Sequence, residues 1–233
     1  MLHWMDDNRQ PDFPSTQFAT TSPNGLLAAG GIITPIWLDS AYRRGIFPWN
    51  DPGDVRLWWS PAPRAIITPE SFRIPRTVRK AIRRQPLLIT CNQAFTAVIQ
   101  ACAAPRPYAE NTWIDEDIIQ GYQRLHQCGR AISVELWGDD GALAAGFYGL
   151  IIGKALFGES MFSYIDNGSK MAFAIAASAL FQHGYHLIDC QMHTAHLGQF
   201  GAHEVTRTEF EQRLAQASQQ PSLAPLPSVL CAI

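Results

Sequence analysis

The stretch that decides the fold runs from Ile132 to Gln191: ISVELWGDDGALAAGFYGLIIGKALFGESMFSYIDNGSKMAFAIAASALFQHGYHLIDCQ. Two apolar runs, Ile132–Trp137 and Leu143–Leu150, flank the turn Gly138-Asp139-Asp140-Gly141, and this predicts a hairpin. Ala155–Phe162 reads as the next strand. Ser169–His183 is an alanine-rich run of helical length stopped by Gly184, and His186–Gln191 returns as a strand. Consecutive hairpin strands followed by a helix and a further strand predict an α+β chain.

Working outward, Arg64–Thr68 and Leu87–Thr90 read as short strands with a basic helix, Arg73–Arg84, between them. Phe95–Cys102 and Asp115–Gly129 read as helices, the second opening on acids and stopping at Gly129. Further upstream the texture changes. Nine of the sixteen prolines lie at or before Pro69, as do five of the seven tryptophans (Trp4, Trp37, Trp49, Trp58, Trp59), so this part has its own organisation. NGLLAAGG and FPWNDPGD are dense in turn signals. One short helix is expected there, Thr34–Arg44, with Thr34 as N-cap, Pro35 at the first position and Gly45 as the stop. The expectation is a small, irregular, tryptophan-rich domain over 1–66 and a larger domain over 67–233, with a tail that is loose from about Ala215. No internal repeat is visible.

With 47% apolar residues the chain has material for a core, and a net charge of −2 excludes nucleic-acid binding by bulk positive charge, leaving a local basic patch open. The opening MLHWMDDNRQPDFP lacks the apolar run of a secretory leader, and the longest apolar stretch, Met171–Phe181, is about half a membrane span. The five cysteines are odd in number and form no C-x-x-C pair. Reduced thiols, a cytoplasmic location and no membrane partner are therefore expected. G-x-G-x-x-G, G-x-S-x-G and H-E-x-x-H are absent, and Gly149–Lys154 has the wrong spacing for a phosphate loop.

Three features carry candidate chemistry. Arg73, Arg76, Arg79, Lys80, Arg83 and Arg84 put six of the eighteen cations into twelve residues without an acid. That suits a solvated helix face or a phosphate-backbone track, since unpaired cations repel unless a polyanion neutralises them. Downstream, Asp189-Cys190-Gln191-Met192-His193-Thr194-Ala195-His196 holds metal-ligand types at Cys190, His193 and His196, and a possible thiol–imidazole pair at Cys190 and His193. On an extended segment Asp189 and Gln191 share one face, as a structural hydrogen bond or as a pair that polarises a nucleophile, with Cys190 pointing the other way into the core. Glu159, inside an otherwise apolar strand, is either an edge-strand surface group or a buried binding group.

These residues sit in five blocks: SPNGLLAAGG (22–31), AYRRGIFPWN (41–50), LWWSPAPRAII (57–67), GESMFS (158–163) and LIDCQMHTAHLGQFGAHEVTR (187–207). In type and order the chain resembles the leucyl/phenylalanyl-tRNA–protein transferases over nearly its whole length. The resemblance implies an N-terminal domain with a small fold of its own. It also implies a C-terminal domain similar to the GNAT-type acetyltransferases, a mixed sheet flanked by helices. It implies transfer of Leu or Phe, and also Met, from aminoacyl-tRNA to the α-amine of proteins beginning with Arg or Lys, which marks them for N-end-rule degradation. No cofactor or metal is implied, because the aminoacyl ester is already activated; the chain is expected to act as a monomer.

By position, the resemblance makes Asp189 and Gln191 the catalytic pair, Asp189 polarising the Gln191 amide. Trp49 and Trp113 would stack on the terminal adenosine, with Glu159 and Ser163 in the same cleft. Phe147 and Ile188 are candidates for the aminoacyl side-chain pocket. Arg76, Arg79, Lys80, Arg83 and Arg84 are the expected track for the tRNA backbone. Tyr164 stands where the family commonly has Arg, and Phe147 where Met is frequent, so the preferred aminoacyl group stays open. Three competing classes are an acyl-CoA-dependent acetyltransferase, an RNA-binding module without chemistry, and a zinc hydrolase at Cys190, His193 and His196.

Overall fold

The structure is a computed structural model that describes residues 2–51, 53–84, 88–105, 112–220 and 226–230. The chain opens with β1 (His3–Met5), β2 (Leu26–Gly30), α1 (Pro35–Tyr42), β3 (Phe47–Pro48) and β4 (Leu57–Trp59). These strands form a sheet of order β1-β2-β4-β3, in which β1 lies parallel to β2 and the other pairs are antiparallel. The N-terminal region is therefore more regular than its proline and glycine content predicts. Its tryptophans supply the reason. Trp58 is fully buried, donates its indole N–H to Gly30 O at 2.8 Å, and packs edge-on against Phe13 at 4.8 Å. Helix α1 starts as expected, with the Thr34 hydroxyl accepting from the Trp37 N–H and Pro35 in the first turn.

Then follow β5 (Arg64–Ile67), α2 (Arg76–Ile82), β6 (Leu88–Cys91), α3 (Phe95–Ala103), α4 (Glu116–Gln127), β7 (Ala131–Trp137), β8 (Leu143–Ile152), β9 (Ala155–Ser163), α5 (Gly168–Gln182) and β10 (Leu187–Gln191). The chain closes with α6 (Ala195–Gly198), β11 (His203–Val205), α7 (Arg207–Ser218) and β12 (Val229–Leu230). Among the described residues these strands make one mixed sheet of order β11-β5-β10-β9-β8-β7-β6-β12. Only β9–β10 is a parallel pair in it. The α+β expectation holds.

The sheet is covered on both faces. One face carries a cluster that includes Phe95, Ile118, Tyr122, Tyr148, Phe157 and Phe210, and this cluster runs on into Leu27, Trp37 and Trp58 of the N-terminal part. The other carries Ile67, Val78, Phe147, Ile188 and most of α5. Helix α5, flat on that face, buries nine of its fifteen residues, and alanines let it lie close. No helix among the described residues is long and apolar enough to cross a membrane.

Three boundaries differ from expectation. The division at 66/67 falls inside β5, which is an internal strand of the large sheet. The basic helix begins at Arg76 rather than Arg73, because Pro75 keeps the residue before it out of helical geometry. The tail expected to be loose from 215 is helical to Ser218. Beyond it, buried Leu226 and Leu230 anchor the chain while Val229 and Leu230 pair with β6. Leu87, the expected start of a strand, lies outside the described residues.

Candidate active site

The parallel pair β9–β10 lasts for three residues, Ala155, Leu156 and Phe157 opposite Leu187, Ile188 and Asp189, and then the strands part. Each strand carries an irregularity where they separate. On β9, Gly158 faces Gly149 and Ser160 faces Tyr148, so Glu159 is the extra residue of a β-bulge. Such bulges bend a strand and re-aim a side chain. Gly149 is glycine for a local reason: a Cβ there would meet the Phe157 carbonyl oxygen at 2.4 Å. On β10, Asp189 faces Ile66 and Gln191 faces Ala65, leaving Cys190 as the extra residue, and Gln191 takes a left-handed φ of 62°. That conformation is uncommon for a non-glycine residue and recurs at functional sites.

A cavity of about 590 Å³ occupies the opening. Trp49 and Trp113 border it, Phe147, Met161, Phe173 and Ile188 line it with apolar surface, and Glu159, Asp189 and Gln191 contribute polar atoms. The ring of Phe147 packs edge-on against Phe173 at 5.9 Å, which continues to Phe200 at 5.1 Å, so the apolar wall is a chain of packed aromatic rings. Trp49 is 43% exposed, follows β3, and is held by its N–H on Leu57 O at 3.0 Å and its carbonyl on Trp59 Nε1 at 2.5 Å.

The polar network explains the shape of β10. Asp189 is fully buried and receives Arg64 Nε at 2.9 Å and Nη2 at 2.7 Å in a fork. Phe47 and Phe210 sandwich that guanidinium at 4.8 and 4.7 Å. Asp189 Oδ1 also accepts the backbone N–H of Gln191 at 2.8 Å, which holds the left-handed turn. The expected contact between the Asp189 carboxylate and the Gln191 amide is therefore made to the main chain instead. The Gln191 side chain goes to Glu159, Nε2 donating to Oε1 at 3.3 Å. Glu159 Oε2 accepts from Tyr122 at 3.0 Å, and Tyr122 shares a hydrogen bond with Tyr42. Burial pushes the Glu159 carboxyl up to about 7; nearby Asp189 raises it too, while the two phenols and Arg64 pull it down. Tyr42 and Tyr122 are raised well above the ordinary phenol value by burial and by Glu159.

Of the residues named from sequence, the structure gathers Trp49, Trp113, Phe147, Glu159, Ile188, Asp189 and Gln191 around one cavity. Ser163 is not among its lining residues. Its hydroxyl donates to Ile165 O at 2.6 Å and accepts the Ser169 N–H at 3.2 Å, closing the turn into α5. Arg76, Arg79, Lys80, Arg83 and Arg84 are all exposed, and no described acid forms an ion pair with them. Cys190 packs toward the face opposite Asp189 but also lines the cavity, and burial raises its thiol. Cys190, His193 and His196 belong to no metal-holding cluster among the described residues. His196 lines the cavity with an imidazole that burial and Lys170 hold below its ordinary pKa. Arg64, Tyr42, Tyr122 and Phe173 are the contributors that sequence reasoning left unnamed.

An aromatic rim, an apolar pocket and an amide beside a titrating carboxyl can hold a flat ring, a hydrocarbon side chain and an amine side by side. On an α+β fold this is a site with room for two reactants side by side. The particular family follows from comparison. Models of the leucyl/phenylalanyl-tRNA protein transferase and of its N-terminal domain match residues 66–215 and 31–62, and the chain belongs to this family. It is 48% identical to a leucyl/phenylalanyl-tRNA–protein transferase of Cellvibrio japonicus, over 97% of this chain and 95% of that one. It is 50% identical to one of Nitrosomonas europaea, over 90% and 88%, and 47% identical to one of Pseudomonas fluorescens, over 96% and 98%. A solved structure of L-PGS from Bacillus licheniformis covers 64% of the chain and 48% of its own at 10% identity and a TM-score of 0.37, too distant to argue from.

Proposed function

We propose that this enzyme moves Leu or Phe, and also Met, from the 3′ end of aminoacyl-tRNA to the N-terminal α-amine of proteins that begin with Arg or Lys, creating a degradation signal. The observation that carries this is the single cavity bordered by Trp49 and Trp113, floored by Phe147 and Ile188, and reached by Gln191 and Glu159. The two indoles would hold the terminal adenosine by stacking, worth about 1–3 kcal/mol per base. The apolar wall would take the side chain, and such a pocket separates sizes by only about 1–3 kcal/mol per methylene, so Leu, Phe and Met all fit its chemistry. The exposed cations of α2, Arg76, Arg79, Lys80, Arg83 and Arg84, would follow the tRNA backbone.

The ester is already activated, so the protein supplies proximity and proton handling. A free α-amine has a pKa of about 7.7–8.0 and is largely protonated at neutral pH. Once ionised, above about 7, Glu159 only accepts hydrogen bonds, which commits the Gln191 N–H₂ to it and leaves the Gln191 carbonyl oxygen for the incoming amine. Gln191 is thus the catalytic group of this proposal. Asp189 acts through it as a positioning residue, fixed by Arg64 and holding the Gln191 backbone. The GNAT-like description of the large sheet, supported by its parting β9–β10 pair, belongs to the same proposal, as do the monomeric state and cytoplasmic location.

Incubation with labelled Leu-tRNA or Phe-tRNA and an Arg-initiated peptide, without ATP, tests it. Label is expected in the peptide. Intact peptide with label remaining on tRNA would refute the transfer, and peptide that stays unlabelled with charged tRNA but is acylated once an acyl-CoA is added would move the chain to the acetyltransferase class.

A further inference from the structure

Arg56 stands at the end of the loop that carries Trp49, immediately before β4, with 9% of its side chain exposed. Its backbone is fixed, the carbonyl accepting the Gly30 N–H at 2.8 Å. Its guanidinium spans two segments. Nη1 donates at 2.9 Å to Oδ1 of Asn50, the residue after Trp49. Nη2 donates at 2.9 Å to Oδ2 of Asp115, two residues after Trp113, with Asp117 Oδ2 at 3.7 Å. Both anchors are themselves held. Asp115 Oδ1 caps α4 by accepting the Ile118 N–H at 2.9 Å, and buried Asn50 donates to Asp51 O at 2.8 Å. One planar cation therefore ties together the two stretches that bring Trp49 and Trp113 to the rim of the cavity.

We propose that Arg56 is a positioning residue that sets the spacing of Trp49 and Trp113, so that the terminal base of the tRNA meets a ready slot; this rests on the adenosine-holding role given to those rings above. An indole as exposed as that of Trp49, on a loop released from its tether, has to be ordered by the ligand, and the ordering is subtracted from affinity. The fork is needed because its two arms run to different segments. A lysine ammonium is a point charge that meets one of them.

The test uses the full chain with Arg56→Met, Arg56→Lys and Asn50→Ala. It measures the steady-state KM for Phe-tRNA and kcat, and the tryptophan-fluorescence Kd for a non-reactive amide-linked phenylalanyl-adenosine. Arg56→Met is expected to raise KM and Kd about tenfold, within the range of one base stack, with kcat within about twofold, since Gln191 and Glu159 lie outside the tether. Arg56→Lys recovers less than half of that loss on a logarithmic scale. Asn50→Ala raises Kd in the same direction, and combining it with Arg56→Met adds nothing, as for two ends of one interaction. Wild-type KM and Kd in Arg56→Met, beside weakened binding in Trp49→Ala, would overturn the proposal. Wild-type affinity in Trp49→Ala would instead remove the adenosine role, so the two failures are distinct. Should Arg56→Met fail to fold, an unchanged Kd in Asn50→Ala overturns it.

Discussion

Two glutamates sit in apolar strands of the same sheet, Glu135 in β7 and Glu159 in β9, and their surroundings differ. Glu135 is fully buried where the strands stay paired. It accepts Thr90 Oγ1 and Ser133 Oγ, each at 2.5 Å, and the Ala94 and Gln93 N–H groups at 3.2 and 3.4 Å. The last two lie at the start of α3, whose N-cap residue Ala94 has no hydrogen-bonding side chain, so Glu135 caps that helix from β7 and meets its positive end. Glu159, at the parted end, takes the Tyr122 phenol and the Gln191 amide, with the Tyr42 phenol also beside it, and faces a cavity. A carboxylate filled with donors is a structural anchor. Burial, only partly offset by the two phenols and Arg64, pushes Glu159 up to about 7, and it faces the cavity where a guest would sit.

The comparison can be broken from beneath the parted end. Arg64 and Asp189 form a buried pair, and removing one partner from such a pair leaves a stranded charge at about 3–5 kcal/mol. Arg64→Met is expected to lower unfolding free energy by that much in denaturant titration, and a loss near zero would show that Asp189 does not need its partner. At the closed end, Glu135→Ala strips the cap of α3 and leaves the Thr90 and Ser133 hydroxyls without their acceptor. It is expected to destabilise by about 2–3 kcal/mol, with the KM and kcat of the folded fraction unchanged. A selective loss of turnover would erase the distinction between the two glutamates.

A further effect concerns pH. The folded chain keeps a proton on Glu159 up to about 7, whereas the unfolded chain releases it near the ordinary 4.5. Folded protein thus binds more protons in that window, and the Glu159 contribution makes stability fall as pH rises from about 4.5 to about 7. Glu159→Gln is expected to flatten this segment of a stability–pH curve measured by urea titration. An unaltered slope would mean that the carboxyl titrates normally.

Much of this was legible in the sequence where the signal is local. The hairpin turn, the alanine-rich α5 and the return through β10 follow from turn residues and run lengths, and Thr34-Pro35 marks α1. Glu159 stood out as a charge inside an apolar strand, but Glu135 carries the same mark. Locally only Ser133, two residues before Glu135, separates them, and the rest of the difference is distant, the hydroxyl of Thr90 arriving from 45 residues away. Arg64 stayed unnamed for the same reason, lying 125 residues from Asp189. Of the seven cleft residues, Glu159, Asp189 and Gln191 stand out from strand patterning, while Trp49, Trp113, Phe147 and Ile188 come from the family resemblance. Ser163 is placed with Glu159 by the family resemblance, yet four residues of strand span roughly 13 Å, enough to leave the cleft. The tail looked loose by composition, and two buried leucines outweigh that average.

Single-turnover transfer by Gln191→Ala tests the central claim most directly: that a left-handed residue at the parting of two strands presents its amide to the acceptor amine. With saturating Phe-tRNA and an Arg-initiated peptide, the account predicts a fall in transfer rate of about 100-fold, in the range of a lost proton-handling group, and a Kd for Phe-tRNA within about twofold of wild type. An equal loss of rate and affinity, or a rate close to wild type, would contradict it.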